Sequence, residues 1–255
     1  MANLIITTGC NLNCEYCFAR GTKKWFIPGE SEMQLSSLNG TMKFLKKSGI
    51  DELRLLGGEP SLHPEFLSII RKGLENGFKI RVFSNGLIKQ EILSEISLLQ
   101  TDRIRFIINI VDPVSNPAIY SLQGKTLVKL GLKAGIGFNI YSRKQDPGFL
   151  ISVVEKNNLI PEIRIGLAHP TTPPVNEYLQ PKFYQQTGYK LEKLLYKAHE
   201  QNIRISFDCG FVPCMFSEEA YSFIKENYGE IGTRCNPVID ILPDGYTISC
   251  FPLST

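Results

Sequence analysis

The sequence predicts an α/β chain built on a parallel sheet, sized for one barrel-like domain or for such a domain with a small appendage. Three observations predict it. Strand-like apolar runs alternate with segments of helical period, six times in succession. The loops with unusual chemistry follow strand-like runs, so they gather at the carboxyl ends of the strands, where curled parallel sheets carry their functional groups. Finally, 255 residues with 43% apolar content suffice to bury a sizeable core.

The first strand reads as Leu4–Thr7 and runs into Cys10-Asn11-Leu12-Asn13-Cys14-Glu15-Tyr16-Cys17-Phe18. Trp25 and Phe26 follow as an apolar point that packs the next loop. Residues Gln34–Lys47 form a predicted helix, with Leu35, Leu38, Met42 and Leu45 at helical spacing and Gly49 as its stop. Strand Glu52–Leu56 ends in Gly57-Gly58-Glu59-Pro60. Helix Glu65–Glu75 closes on Asn76-Gly77, and strand Lys79–Phe83 ends in Ser84-Asn85-Gly86. Helix Lys89–Leu99, strand Arg103–Ile110, a helix near Lys125–Lys133, strand Ile136–Tyr141, helix Phe149–Asn157 and strand Glu162–Leu167 complete six units. A proline-rich connection, Pro170–Pro181, leads to helix Phe183–Gln201 and strand Ile203–Phe207. Helix Ser217–Tyr228 follows. Pro243-Asp244-Gly245 then makes a turn between the apolar runs Val238–Leu242 and Tyr246–Ile248, which reads as a hairpin.

Composition removes several classes. A net charge of +3 with no Lys/Arg block does not suggest nucleic-acid binding. No apolar run approaches the ~20 residues that cross a membrane, and no secretory signal pattern opens the chain. Seven cysteines, odd in number and closely spaced, fit metal binding in a reducing cytoplasm better than a disulfide framework.

Cys10, Cys14 and Cys17 form a C-x3-C-x2-C array. Thiolates select zinc, copper(I) or iron–sulfur clusters. Closed zinc sites and [4Fe–4S] cubes usually take four protein ligands, so three thiolates leave one corner open. A zinc knuckle is the competing reading.

The array resembles the cluster motif of the radical S-adenosylmethionine (SAM) superfamily. The resemblance implies a [4Fe–4S] cluster held by the three cysteines, with SAM on the fourth iron and Tyr16 near the adenine. Gly57-Gly58-Glu59-Pro60 resembles the family's GGEP motif, implied to receive the methionine amine. Ser84-Asn85-Gly86 resembles the turn that helps place SAM, and Asn109 becomes a candidate contact for its ribose or carboxylate. Many relatives carry an arginine on the next helix. Residues 111–141 contain none, so Lys125, Lys129 or Arg143 would have to substitute.

Four further cysteines stand late in the chain. Cys235 and Cys250 sit at the outer ends of the predicted hairpin, while Cys209 and Cys214 lie on a loop before it. Together they suffice for a closed four-thiolate site, either zinc or iron–sulfur. The C-x9-G-x4-C run resembles the opening of auxiliary-cluster domains called SPASM and twitch, which implies one auxiliary [4Fe–4S] cluster. The whole resemblance implies a partial (β/α)6 TIM-like barrel in residues 1–180. A small C-terminal, twitch-like, cluster-binding domain would occupy residues 181–255.

The family chemistry implied is reductive cleavage of SAM and removal of hydrogen from a substrate C–H bond. A flavodoxin- or ferredoxin-type donor would supply the electron. All seven cysteines are then used as ligands, so an epimerase-type thiol would have to come from the auxiliary set. Catalytic candidates are His169, after the sixth strand, with Tyr141 and Arg164 on the fifth and sixth. His63 reads as a capping or solvent-exposed residue near a helix start and His199 as a surface one.

Three readings follow. The first is modification of a peptide by crosslinking, oxidation or epimerisation. The second is a small-molecule dehydrogenase or epimerase acting on a sugar- or aminocyclitol-like substrate. The third is a non-enzymatic, metal-stabilised redox or binding protein. The chain reads as opening directly on the barrel without a leader-binding domain, which weighs against the first; family frequency weighs for it.

Overall fold

A computed structural model describes residues 1–20, 32–171, 174–232 and 238–249. Cys235, Cys250, Trp25 and Phe26 lie outside these residues. The parallel elements alternate as predicted. Strands β1 (Ala2–Thr7), β2 (Glu52–Gly57), β3 (Lys79–Ser84), β4 (Ile104–Asn109), β5 (Ala134–Ile140) and β6 (Glu162–Leu167) are joined through helices. These are α1 (Leu35–Lys47), α2 (Phe66–Glu75), α3 (Gln90–Leu98), α4 (Pro117–Leu130) and α5 (Leu150–Lys156). Glycine ends the first two helices as predicted: Gly49 at φ 75° and Gly77 at φ 77° take the left-handed backbone that other residues avoid.

Two elements depart from the sequence reading. Helix α4 begins at Pro117 rather than near Lys125. Proline fits the first helical position, where no N–H is needed, and that signal marks the true start. Helix α6 (Tyr184–Glu200) and strand β7 (Arg204–Phe207) form a seventh unit, because β7 pairs in parallel with β6. The sheet therefore continues across residue 180.

After α7 (Glu218–Asn227), strands β8 (Asp240–Ile241) and β9 (Thr247–Ile248) make the predicted antiparallel hairpin. Its first strand also pairs in parallel with β1, and Asn3 Nδ2 donates to Asp240 Oδ1 at 2.6 Å. The sheet order is β7-β6-β5-β4-β3-β2-β1-β8-β9.

Side chains alternate across each strand. Ile104, Phe106 and Ile108 of β4, with Ile163, Ile165 and Leu167 of β6, are buried in the main core with residues of the surrounding helices. The other face is polar. Arg54 and Arg81 share Glu52 at 2.9 and 3.4 Å, and Arg164 pairs with Asp208 at 2.7 Å.

The sheet is strongly curled. Strands β3 and β6 are three places apart, which in a flat sheet is about 14 Å. Yet the Arg164 guanidinium lies 4.8 Å from the centre of the Phe83 ring. The concave face is thus an open, charged cup, unlike the apolar layers that fill a closed barrel.

Candidate active site at the carboxyl ends of the strands

Three loops meet at one rim of the cup. Gly58 N donates to Thr7 O at 2.9 Å and Glu59 N to Gly9 O at 2.7 Å, which laces the loop after β2 onto the loop after β1. Only glycine permits this approach. A Cβ on Gly57 would stand 2.1 Å from Thr7 O, and one on Gly58 would stand 2.1 Å from Gly9 O. The two glycines thus let backbone approach backbone, and this brings Gly58 against Cys10.

Glu59 ties in the third loop. Its side chain is fully buried. Oε1 accepts from Ser61 N, Ser61 Oγ and Ser84 Oγ, and Oε2 accepts from Asn85 N. Pro60 and Ser84 are buried beside it. Asn85 faces outward: its Nδ2 donates to Asn11 Oδ1 at 2.7 Å and lies 3.9 Å from Cys10 Sγ. Leu12 N points at the same sulfur from 3.4 Å. Two N–H groups aimed at one sulfur suit a thiolate.

Cys10 is exposed, and Cys14 and Cys17 are half-buried. Burial pushes the Cys14 thiol above its ordinary range; the Tyr16 hydroxyl, donating to it, opposes this, and the charges of Cys17 and Cys10 add to it. Tyr16 in turn accepts from the Asn139 amide and stacks on Tyr141, with ring centres 5.1 Å apart and planes at 28°. A hydrogen-bonded chain therefore runs from Asn139 through Tyr16 to Cys14. Among the described residues no three Cys, His, Asp or Glu side chains converge on a single metal ion. A cube that takes its thiolates on separate irons does not require such convergence. The donor set, with its N–H groups on sulfur and its open side, fits that group.

Sequence reasoning missed several braces, because none carries a motif. Gln123 on α4 is fully buried. Its Nε2 donates to Asn85 O at 2.6 Å and to Asn109 O at 3.0 Å, and its Oε1 accepts from Val111 N. The α4 helix thus supplies an amide that fixes the ends of β3 and β4, while Lys125 and Lys129 are exposed on it and Arg143 stacks on Phe183. Asn109 turns its Oδ1 toward Gly137 inside the cup. Burial at the α4 spacing Gln123, Thr126, Leu127, Leu130 is the signal that would have found Gln123.

Asn176, in the proline-rich connection, is a second brace. Its Nδ2 donates to Tyr16 O at 3.0 Å and to His169 O at 2.8 Å, and its Oδ1 accepts from Thr171 N. Asn176→Asp removes both donations and sets a carboxylate against two carbonyl oxygens. About tenfold weaker SAM binding is the expected result, since an unpaired buried group costs roughly 1–3 kcal/mol. Equilibrium dialysis of SAM against the reconstituted variant measures it, and unchanged affinity would refute the role.

The catalytic candidates all reach the rim. His169 Nε2 lies 3.5 Å from Cys209 Sγ. Tyr141 covers Tyr16, and Arg164 holds Asp208. Burial raises the Asp208 carboxyl above its ordinary value, against the opposing charge of Arg164. Of the other two histidines, His63 is buried, with Nε2 3.1 Å from Met33 O and Nδ1 accepting from Glu65 N. His199 packs on Phe223 and Tyr228, away from the rim.

Comparison with known proteins places this arrangement. Residues 4–122, from β1 into α4, match the family model described as the Radical SAM superfamily. By this match the chain carries a radical SAM domain over residues 4–122. The family implies a [4Fe–4S] cluster and SAM.

Among curated relatives, an S-adenosylmethionine-dependent nucleotide dehydratase of Selenomonas ruminantium is 28% identical over 132 residues, covering 51% of this chain and 42% of the relative. A GTP 3',8-cyclase of Aquifex aeolicus is 27% identical over 150 residues, covering 58% and 44%. The matches thus span less than half the length of these two relatives. Among solved structures, Streptococcus suis SuiB bound to S-adenosylmethionine superposes with a TM-score of 0.67 at 14% identity, covering 97% of this chain and 59% of SuiB. SuiB bound to its precursor peptide SuiA gives 0.68 at 13%, covering 99% and 60%. At such identity the likeness speaks for the fold alone.

Proposed function

We propose that this radical SAM enzyme removes hydrogen from a C–H bond of a peptide and so crosslinks, oxidises or epimerises a residue. One observation carries the reaction class: the loops bearing Cys10–Cys17, Gly57–Glu59 and Ser84–Asn85 are knit into a single rim through Glu59. When bound, the cluster supplies the electron that cleaves SAM. The chain's own residues do the rest. Cys10, Cys14 and Cys17 hold the cluster, and Leu12 N and Asn85 Nδ2 direct N–H groups to the Cys10 sulfur. The Gly57–Pro60 backbone and Asn85 orient SAM with help from Asn109, while Tyr16 and Tyr141 wall the site against water.

The peptide reading is supported by likeness over almost the whole chain to a fold captured with a precursor peptide. A small-molecule substrate is the second reading. It is favoured by curated relatives whose names specify nucleotides.

We further assign a division of labour, with residues 1–180 handling SAM and 181–255 holding one auxiliary [4Fe–4S] cluster. Cys209 and Cys214 would be two of its ligands. Cys209 lies two residues beyond the end of β7, and Cys214 sits on a short turn seated against α6. Gly188 of α6 makes that seat, since a Cβ there would stand 1.7 Å from Met215 O. Cys235 and Cys250 complete the proposed set. A flavodoxin- or ferredoxin-type protein would donate the electron.

Anaerobic reconstitution tests this. We expect about eight irons per chain, and about four after Cys235→Ala with Cys250→Ala. Formation of 5′-deoxyadenosine should rise with peptides and not with polyols. Four irons in the unaltered chain would remove the auxiliary cluster, and stimulation by polyols alone would replace the peptide reading with the second one.

A further inference from the structure

Every polar group of Asn85 is committed to a neighbour, and the last of them reaches the cysteine loop. Its backbone N–H donates to Glu59 Oε2 at 2.7 Å, and its carbonyl accepts from Gln123 Nε2 at 2.6 Å. Its side-chain Oδ1 accepts from Leu87 N at 2.9 Å, which closes a local turn. The amide nitrogen carries two hydrogens. One goes to Asn11 Oδ1 at 2.7 Å. The other is left for Cys10 Sγ, 3.9 Å away and within the longer reach of a bond to sulfur.

Both ends of that contact are fixed. On the Asn85 side, Thr126 Oγ1 donates to Gly86 O at 2.7 Å, and Asn11 Nδ2 donates to Leu87 O at 3.2 Å. On the other side Cys10 is pressed on Gly58, where a Cβ would stand 2.9 Å from Cys10 Cβ. Leu12 N reaches the same sulfur at 3.4 Å, but Leu12 belongs to the cysteine loop itself. The Asn85 amide is the donor brought from another strand, at the end of β3.

An electron added to an iron–sulfur cluster spreads onto its sulfurs. An N–H dipole with its hydrogen toward sulfur stabilises that charge, and hydrogen bonds to the sulfurs are among the features that set the potential. We propose that Asn85 tunes the electron affinity of the cluster: its Nδ2–H, aimed at Cys10 Sγ, raises the midpoint potential and so eases loading by the electron donor. The inference rests on the reading that Cys10, Cys14 and Cys17 hold a [4Fe–4S] cluster. Asn85 is a positioning residue in this role. It acts through Cys10, separately from any contact with SAM.

The test is an anaerobic redox titration of the reconstituted holoenzyme without SAM, followed by electron paramagnetic resonance. The signal to follow is the one that, in the unaltered chain, changes when SAM is added. Asn85→Leu and Asn85→Asp both keep the side chain's size and lose the N–H. In Asn85→Leu the ratio of reduced to oxidised cluster at a fixed potential should fall about tenfold, a downward shift of about 59 mV for a one-electron couple. Asn85→Asp adds a negative charge and should fall further. Loosening of the rim alone has the opposite sign, since it admits water, which stabilises added charge. A midpoint unchanged or raised in Asn85→Leu overturns the proposal.

Failure of the cluster reading shows differently: the unaltered chain then gives no SAM-sensitive signal, and the inference falls with it. If neither variant takes up iron, the unaltered chain decides. With asparagine carrying heavy nitrogen in its side chain, electron–nuclear double resonance of the reduced cluster should show a nitrogen coupling, and its absence overturns the proposal.

Discussion

Cys14→Ala should reduce 5′-deoxyadenosine formation to background while the metal-free chain keeps its fold. The argument has two halves. Cys14 is half-buried on a loop, outside the main core. Its removal opens no core cavity, so the metal-free melting temperature should shift by no more than a few degrees, as for a change below about 1 kcal/mol. Function has no such tolerance. With two thiolates left, the cluster loses a protein ligand, and the Tyr16 hydroxyl loses the sulfur to which it donates. Iron retained by reconstituted Cys14→Ala should fall by about four per chain. Iron analysis, 5′-deoxyadenosine assay and a thermal melt of the metal-free chain are the three measurements. Full SAM cleavage by the variant would mean that Cys14 is not a ligand, and the reading of the whole rim would fail with it.

That prediction was available from the amino-acid order alone, because three thiols within eight residues are a local pattern. The strand and helix alternation was legible for the same reason: burial on one face writes a period of two or 3.6 into neighbouring residues. What was not legible is whatever depends on distant partners. Helix α6 and strand β7 were read correctly as elements, yet nothing local says that β7 pairs with β6 and carries Asp208 to the rim. Asp208 follows an ordinary strand and precedes a cysteine that drew the attention. Its partner Arg164 stood among the candidates only as a polar strand residue. Gln123 lay outside the helix read near Lys125–Lys133, and only the start of α4 at Pro117 puts it on the buried face. Asn176 sat in a proline-rich stretch that resembled a linker. In each case the chemistry comes from a contact across the cup, and a one-dimensional period does not encode curvature.

Glu59 shows the same limit within a recognised motif, and its replacement should have the largest effect on stability. The sequence reading gave the Gly57–Pro60 loop to SAM. In the structure the Glu59 carboxylate points into the protein and holds four donors at 2.7–3.1 Å. Glu59→Ala strands all four. The hydroxyls of Ser61 and Ser84 rotate to other partners, and Ser84 Oγ already accepts from Gly86 N. The N–H groups of Ser61 and Asn85 have no such freedom. Each unpaired buried donor costs about 1–3 kcal/mol, so a loss of about 3–5 kcal/mol is expected, large against a total stability of roughly 5–15 kcal/mol. Glu59→Gln keeps one oxygen but turns an amide N–H toward a donor, and should lose about half as much. Glu59→Asp retracts the carboxylate by one methylene, so it should resemble alanine more than glutamine. Urea denaturation of the metal-free chain measures the series, with the midpoint falling and the slope unchanged. The same variants should bind SAM weakly, because Asn85 and Gly58 lose the group that fixes one against the other. If Glu59→Ala unfolds within about 1 kcal/mol of the parent, the four bonds do not hold the rim, and the loops after β1, β2 and β3 must be joined by the backbone bonds to Thr7 and Gly9 and by the Asn85–Asn11 side-chain bond.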